Sequence, residues 1–221
     1  MLGFAFANGR EAAYQILCLG AHSDDIEIGC GGTILSLLDW YPNAQFAWIV
    51  FSGAGPRAAE AQASMGAWLP AARRSVVAIR DFRDGYFPYQ GAEIKAYFEE
   101  LKQAFSPDLI FTHCRSDLHQ DHRLINELTW NTFREHAILE YEIPKYDGDL
   151  GSPNVFVHLD GAICCRKLEL LRSYYTTQAS KPWFTDETFR ALLRLRGIEA
   201  RAPQNYAEAF YGRKLVLMGA P

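Results

Sequence analysis

The stretch Leu19–Thr33, LGAHSDDIEIGCGGT, sets a histidine and three carboxylates within the six residues His22–Glu27, directly after an apolar run. A metal site, a glycine-rich phosphate loop and a polar loop that merely ends a strand compete as readings. The preceding run, Tyr14–Ala21 (YQILCLGA), is short, aliphatic and bounded by breakers, which reads as a buried strand. Outward from it, Ala44–Gly53, Arg74–Ile79 and Asp108–His113 read the same way. Between them Gly32–Trp40, Arg57–Leu69 and Ala92–Phe105 have helical spacing, as with Ile94, Tyr97, Phe98 and Leu101 at i, i+3, i+4 and i+7. This alternation predicts an α/β fold, a mostly parallel sheet with helices on both faces.

Later segments differ. Asn154–Arg166 reads as strand material, Lys167–Tyr175 and Asp186–Leu195 as helices, and Arg213–Gly219 as a closing strand. No internal repeat, low-complexity tract or linker interrupts the chain, so residues 1–221 are expected to form a single domain.

Composition narrows the function classes. A net charge of −4 with no long basic run argues against a nucleic-acid surface. The opening residues MLGFAFANGREAAYQ do not read as a signal peptide, and no apolar run approaches membrane-spanning length. The five cysteines, Cys18, Cys30, Cys114, Cys164 and Cys165, include no CxxC pair, so neither a disulfide frame nor a thiolate zinc site is indicated. A reducing cytoplasm is the expected setting.

In parallel sheets, ligands bind outside the carboxyl ends of the strands. Two polar clusters fall there: His22–Glu27 after the first strand, and His113–Arg123, HCRSDLHQDHR, after Asp108–His113. Several acids in such a place call for a positive partner, which a divalent cation supplies. His22 and Asp25, three apart on a turn, can share one ion, leaving Asp24 free to touch water. His119 and His122 share a helical face at the start of a helix expected over Gln120–Phe133, and Asp121 is placed to orient a histidine. His22, Asp25 and one histidine of the second cluster make a two-histidine, one-carboxylate set with a position left for water, the pattern of a catalytic zinc site. The run Gly29–Thr33 is not G-x-G-x-x-G and no Walker lysine follows, so its glycines read as close packing of a helix against the sheet.

AHSDD, Ala21–Asp25, resembles the AHPDD signature of the PIG-L/LmbE-like N-deacetylase family, and HQDH, His119–His122, resembles its HPDH signature. Gly55–Glu60 and Asp84-Gly85 extend the similarity, which covers about the first 130 residues. Ser23 and Gln120 replace the prolines of the two signatures, and the acid that follows the aspartate pair in the family is displaced to Glu27 by Ile26.

The resemblance implies a Rossmann-like fold and a zinc-dependent hydrolase that removes acetyl from an N-acetylated amino sugar or sugar conjugate. His22, Asp25 and His122 would hold the Zn2+, although another divalent ion could take its place. Asp24 would be the general base. His119 would stabilise the oxyanion and protonate the amine, with Asp121 behind the ligands. Arg57 and Asp84 are candidate substrate-binding residues. The partner implied is a small N-acetylated sugar or conjugate, with no nucleic acid, no membrane span and room for a homo-oligomer. Two alternatives stand beside this: cleavage of a different amide, such as a thiol-sugar conjugate, and a non-catalytic Rossmann-like module retaining a metal. The turn-rich segment 140–154 is a candidate wall of the site, and the aromatics of Thr176–Phe184 and Tyr206–Phe210 are candidates for stacking or for the core.

Overall fold

The computed structural model describes residue 3 and residues 5–216. Among the described residues, seven strands form one sheet in the order β3-β2-β1-β4-β5-β7-β6. The strands β1 (Gln15–His22), β2 (Gln45–Ser52), β3 (Arg74–Ile79), β4 (Leu109–His113) and β5 (Ala137–Tyr141) run parallel. The strand β7 (Tyr206–Gly212) is antiparallel to β5 and to the edge strand β6 (Val155–Leu159). The chain crosses from the β1-β2-β3 side to the β4-β5 side between β1 and β4, so their carboxyl ends flank the crevice where such sheets bind ligands.

Successive side chains of a strand point to opposite faces. Ile16, Cys18, Phe46, Trp48 and Val50 enter a core with helices α1 (Asp25–Trp40), α2 (Pro56–Trp68), α5 (Gly161–Tyr174) and α6 (Asp186–Glu199). Leu17, Leu19, Ala47, Ile49 and Phe51 enter another with α3 (Gly91–Ala104) and α4 (Gln120–Thr132). The expected α/β layering, with helices on both faces, is present.

Four features differ most from the sequence reading. First, α1 begins at Asp25 rather than Gly32, so the acidic cluster is the helix's first turn and the glycines lie inside it. They are there for contact: a Cβ on Gly29 would lie 2.1 Å from the Tyr141 ring, and one on Gly31 2.6 Å from Trp68. Second, the strand expected over Asn154–Arg166 stops at Leu159, because the Asp160 side chain accepts the Ile163 N–H at 2.7 Å and starts α5. Third, the closing strand is Tyr206–Gly212. Arg213–Val216 are not extended into the sheet, and the rest of the expected Arg213–Gly219 strand lies outside the described residues. Fourth, β5 was not anticipated. The aromatics Phe184 and Phe210 are core, with Phe184 packed on Tyr175 and Phe189. No helix among the described residues is long and apolar enough to cross a membrane.

Candidate metal centre

β1 ends on His22, and one turn later Asp24 and Asp25 open α1. β4 ends on His113, and a loop carries the chain to His119, the cap of α4, whose first turn holds Asp121 and His122. Adjacent parallel strands thus bring both polar clusters to one sheet edge. His22 Nδ1 lies 3.1 Å from His122 Nε2 and 3.3 Å from Asp25 Oδ2, and the third edge, His122 Nε2 to Asp25 Oδ2, is 3.6 Å. Tetrahedral donors each about 2.0–2.1 Å from a zinc ion sit roughly 3.3–3.5 Å apart. The triangle fits one such ion, and all three side chains are buried.

The nitrogens facing away from the triangle are held by carboxylates. Asp121 Oδ2 and Asp84 Oδ1 each lie 3.2 Å from His22 Nε2, and Asp117 Oδ2 lies 2.9 Å from His122 Nδ1. This is the arrangement that fixes tautomer and ring orientation in metal-ligating histidines. Asp121 is itself fixed, accepting the Gly85 N–H at 2.6 Å and the Phe87 N–H at 3.1 Å. Gly85 can present that N–H because its φ of 77° suits the Asp84-Gly85 turn. Other His and Asp sets also approach one another, namely His22/His119/His122, His22/Asp84/His119/Asp121 and Asp25/His113/His122. In the last of these, His113 Nε2 accepts the Ala21 N–H at 3.0 Å, which occupies its lone pair.

Electrostatics point the same way. Burial favours the neutral form of Asp25, yet His122, His113 and His22 around it hold its carboxyl well below the usual range. Burial works against a charged His22, but Asp25, Asp121 and Asp84 outweigh it and raise the imidazole well above its ordinary value. His122, pressed by burial and by neighbouring His113, falls to about 3. The carboxylates therefore favour positive charge at this point, while His122 is kept neutral and able to donate a lone pair.

Asp24 makes no capping bond for α1 and stands 3.6 Å from Arg57. Burial and the neighbouring Asp25 raise its pKa. Arg57, at the second position of α2, also bonds Asp84 at 2.8 Å. Its placement follows from Gly55, whose φ of 55° turns the chain into Pro56 and the helix. His119 Nδ1 accepts the Asp121 N–H at 3.3 Å, so the ring proton sits on Nε2. Burial and nearby His22 lower its pKa below 6.5.

Three supports were missed in the sequence. Asp117 sits inside the second cluster, but its distance from His119 and His122 along the chain matched no helical spacing. Lys145 and Tyr175 lie in segments with no motif at all. Tyr175 explains Glu27: its hydroxyl contacts both the Ser23 carbonyl at 2.6 Å and Glu27 Oε1. Glu27 Oε1 accepts from the Tyr175 hydroxyl and from the Ser64 hydroxyl at 2.6 Å. Burial outweighs these two donors and raises the Glu27 carboxyl to about 8.

A Rossmann-like sheet whose switch point carries a His/Asp cluster able to bind a metal ion defines the class. The model of the PIG-L family, GlcNAc-PI de-N-acetylase, matches residues 17–133, more than half of the chain, and the chain belongs to that family. No curated protein matches the sequence. Among solved structures, N,N'-diacetylchitobiose deacetylase from Pyrococcus horikoshii is 19% identical with a TM-score of 0.66, over 95% of this chain and 87% of that one. The 4-carboxy-2-hydroxymuconate hydratase GalB from Pseudomonas putida KT2440 is 14% identical at 0.70, over 93% and 98%. The zinc-inhibited form of teicoplanin deacetylase is 13% identical at 0.66, over 90% and 97%. At these identities the shared property is the fold.

Proposed function

We propose that the chain, acting as one domain, is a metal-dependent N-deacetylase that hydrolyses the acetamide of an N-acetylated amino sugar or sugar conjugate. The observation that carries this reading is the His22–Asp25–His122 triangle, with two more reactive side chains, Asp24 and His119, beside it. Three protein ligands leave a position for water, whereas a purely structural zinc is closed by four. When bound there, a zinc ion supplies an acidified water and a Lewis acid for the amide carbonyl.

The chain's own groups do the rest. Asp24, with a carboxyl raised by burial and by Asp25, is tuned toward the working range of a general base. It takes a proton as water adds to the amide carbon, and returns it to the departing amine. His119 donates from Nε2 to the developing oxyanion. Its lowered pKa and its tautomer make it a neutral donor, which moves protonation of the amine from His119 to Asp24. Asp121 and Asp117 hold the ligand rings. Arg57 and Asp84, partly exposed and paired at 2.8 Å at the edge of the site, are the groups assigned to substrate hydroxyls.

Release of acetate from N-acetylated amino sugars, free, lipid-linked and nucleotide-linked, tests the reading, with chelator sensitivity measured in parallel. Chelator-sensitive acetate release supports it. Metal bound stoichiometrically, with neither acetate nor any other amide product formed, would favour the non-catalytic module. Cleavage of a different amide would keep the mechanism and change the substrate.

A further inference from the structure

Segment 142–150 comes after the residues that supply the site's side chains, yet it inserts a cation behind them. Lys145 is half-buried with its side chain only 8% exposed, and its Nζ lies 3.0 Å from Asp117 Oδ1 and 2.5 Å from Asp149 Oδ2. Asp117 is completely engaged: Oδ2 meets His122 Nδ1 at 2.9 Å, and Oδ1 also accepts the His119 backbone N–H at 2.8 Å. Asp149 Oδ2 takes the Leu118 N–H at 2.7 Å. One ammonium thus joins a carboxylate on its own segment to the carboxylate that orients a ligand histidine, and Asp149 grips the loop between Asp117 and His119. The segment is anchored at its other end as well, where Glu142 receives Arg196, Tyr211 and the Gly151 N–H.

We propose that Lys145 is a positioning residue for the metal centre, and that segment 142–150 acts through it as a clamp holding the Asp117–His122 pair in its ligating geometry. The proposal rests on the reading of His22, Asp25 and His122 as ligands. Its physical basis is charge compensation. A buried carboxylate with no cation beside it is costly, and relieves that cost by moving toward other partners or solvent. Such a shift changes the contact that fixes the His122 ring, while His22 and Asp25, at the end of β1 and the start of α1, keep their own supports. Lys145 is sequestered between two carboxylates, so it is not free to bind substrate. Partners that orient metal ligands are worth about 10–100-fold in metal affinity.

The test is the zinc dissociation constant, read by chelator competition on the full chain, together with KM and kcat for whichever acetylated sugar is turned over. Lys145→Met is expected to weaken zinc binding at least tenfold and to lower kcat at subsaturating zinc, with KM little changed. Lys145→Arg, which keeps the charge, is expected to recover most of the affinity. Asp149→Asn, which loosens the ammonium without removing it, is expected to fall between. Wild-type zinc affinity in a folded Lys145→Met protein would overturn the clamp. If that variant does not fold, wild-type affinity in Asp149→Asn overturns it equally. Wild-type protein that binds no zinc overturns the ligand assignment, and the clamp with it. A loss shared equally by Lys145→Met and Lys145→Arg would assign Lys145 to packing alone.

Discussion

Residues 17–133, which the family model matches, and the residues after them divide the work at the centre unequally. Every side chain at the triangle or its mouth, from His22 and Asp24 to Arg57, Asp84, His119 and His122, comes from the first region. The second region contributes supports. Lys145 pairs with Asp117, Tyr175 bonds the Ser23 carbonyl, and Tyr141 bonds the Leu19 carbonyl at 2.6 Å. Lys167 and Glu208 reach into α1 itself. Lys167 bonds the Ile28 carbonyl and Glu208 at 2.6 Å each, and Glu208 receives the Gly32 and Thr33 N–H groups at 2.8 and 2.6 Å. A regular helix would pair the Gly32 N–H with the Ile28 carbonyl. The ion pair takes both. The side chains of the proposed chemistry are concentrated in the first region, and the contacts that hold them are supplied in part by the second.

The sharpest way to break this comparison is in the first region. Asp24→Asn removes the proposed base without touching a proposed ligand. Turnover should fall by about 10²–10⁴-fold, the usual contribution of a positioned acid or base, while the bound metal stays. Asp25→Ala should lose the metal instead. Elemental analysis beside acetate release separates the two, and near-normal turnover in Asp24→Asn would remove Asp24 from the mechanism.

A substitution in the second region should act on stability first. Lys167→Met leaves Glu208 buried and facing only backbone N–H groups, so a loss of about 3–5 kcal/mol is expected in denaturant unfolding. Replacing both partners, Lys167→Met with Glu208→Gln, should cost less than Lys167→Met alone, since no buried charge is then stranded. If Lys167→Met unfolded as the wild type does, α1 would not depend on the pair.

This division also explains what could be read in the sequence. The strands β1 to β4 and their helices are legible because apolar runs and 3.6-residue spacing are local signals, and His22, Asp25, His119 and His122 because short spacings bring them onto one turn. Asp121 was legible as an orienting carboxylate, although its partner turned out to be His22 across the sheet, a contact no local spacing encodes. Lys145 and Tyr175 carry no pattern: each is significant only because the fold sets it against a residue 28 or 152 positions earlier. The α5 boundary failed for a different reason. Ile163, Cys164 and Cys165 follow an apolar strand and extend its composition, and only the Asp160 cap marks the change.

Glu27 links the two regions, and its protonation gives a smaller effect with a defined sign. Its carboxyl is raised from 4.5 to about 8 by burial, so between those values the folded protein keeps a proton that the unfolded chain releases. Its contribution is therefore fully present below about 4.5, declines as pH rises, and is lost above about 8. The difference in stability between wild type and Glu27→Gln should accordingly change by a few kcal/mol across that window, with wild type losing ground as pH rises. A difference that stays constant with pH would mean that Glu27 is ionised in the folded protein.

Tyr175→Phe is expected to give the smallest effect, and it separates aiming from metal holding. The substitution removes one hydroxyl and leaves the ring in the core beside Phe184. The Ser23 carbonyl loses its donor and Glu27 loses a partner, at a cost of about 1–3 kcal/mol for groups left unsatisfied in the interior. Because Tyr175 touches the peptide just before Asp24 and none of the three triangle residues, zinc affinity should stay at the wild-type value while kcat falls modestly. That outcome is the converse of Lys145→Met, in which affinity moves first. If Tyr175→Phe weakened zinc as much as Lys145→Met does, the supports would not be specialised, and the second region would act on the centre only by holding the whole fold together.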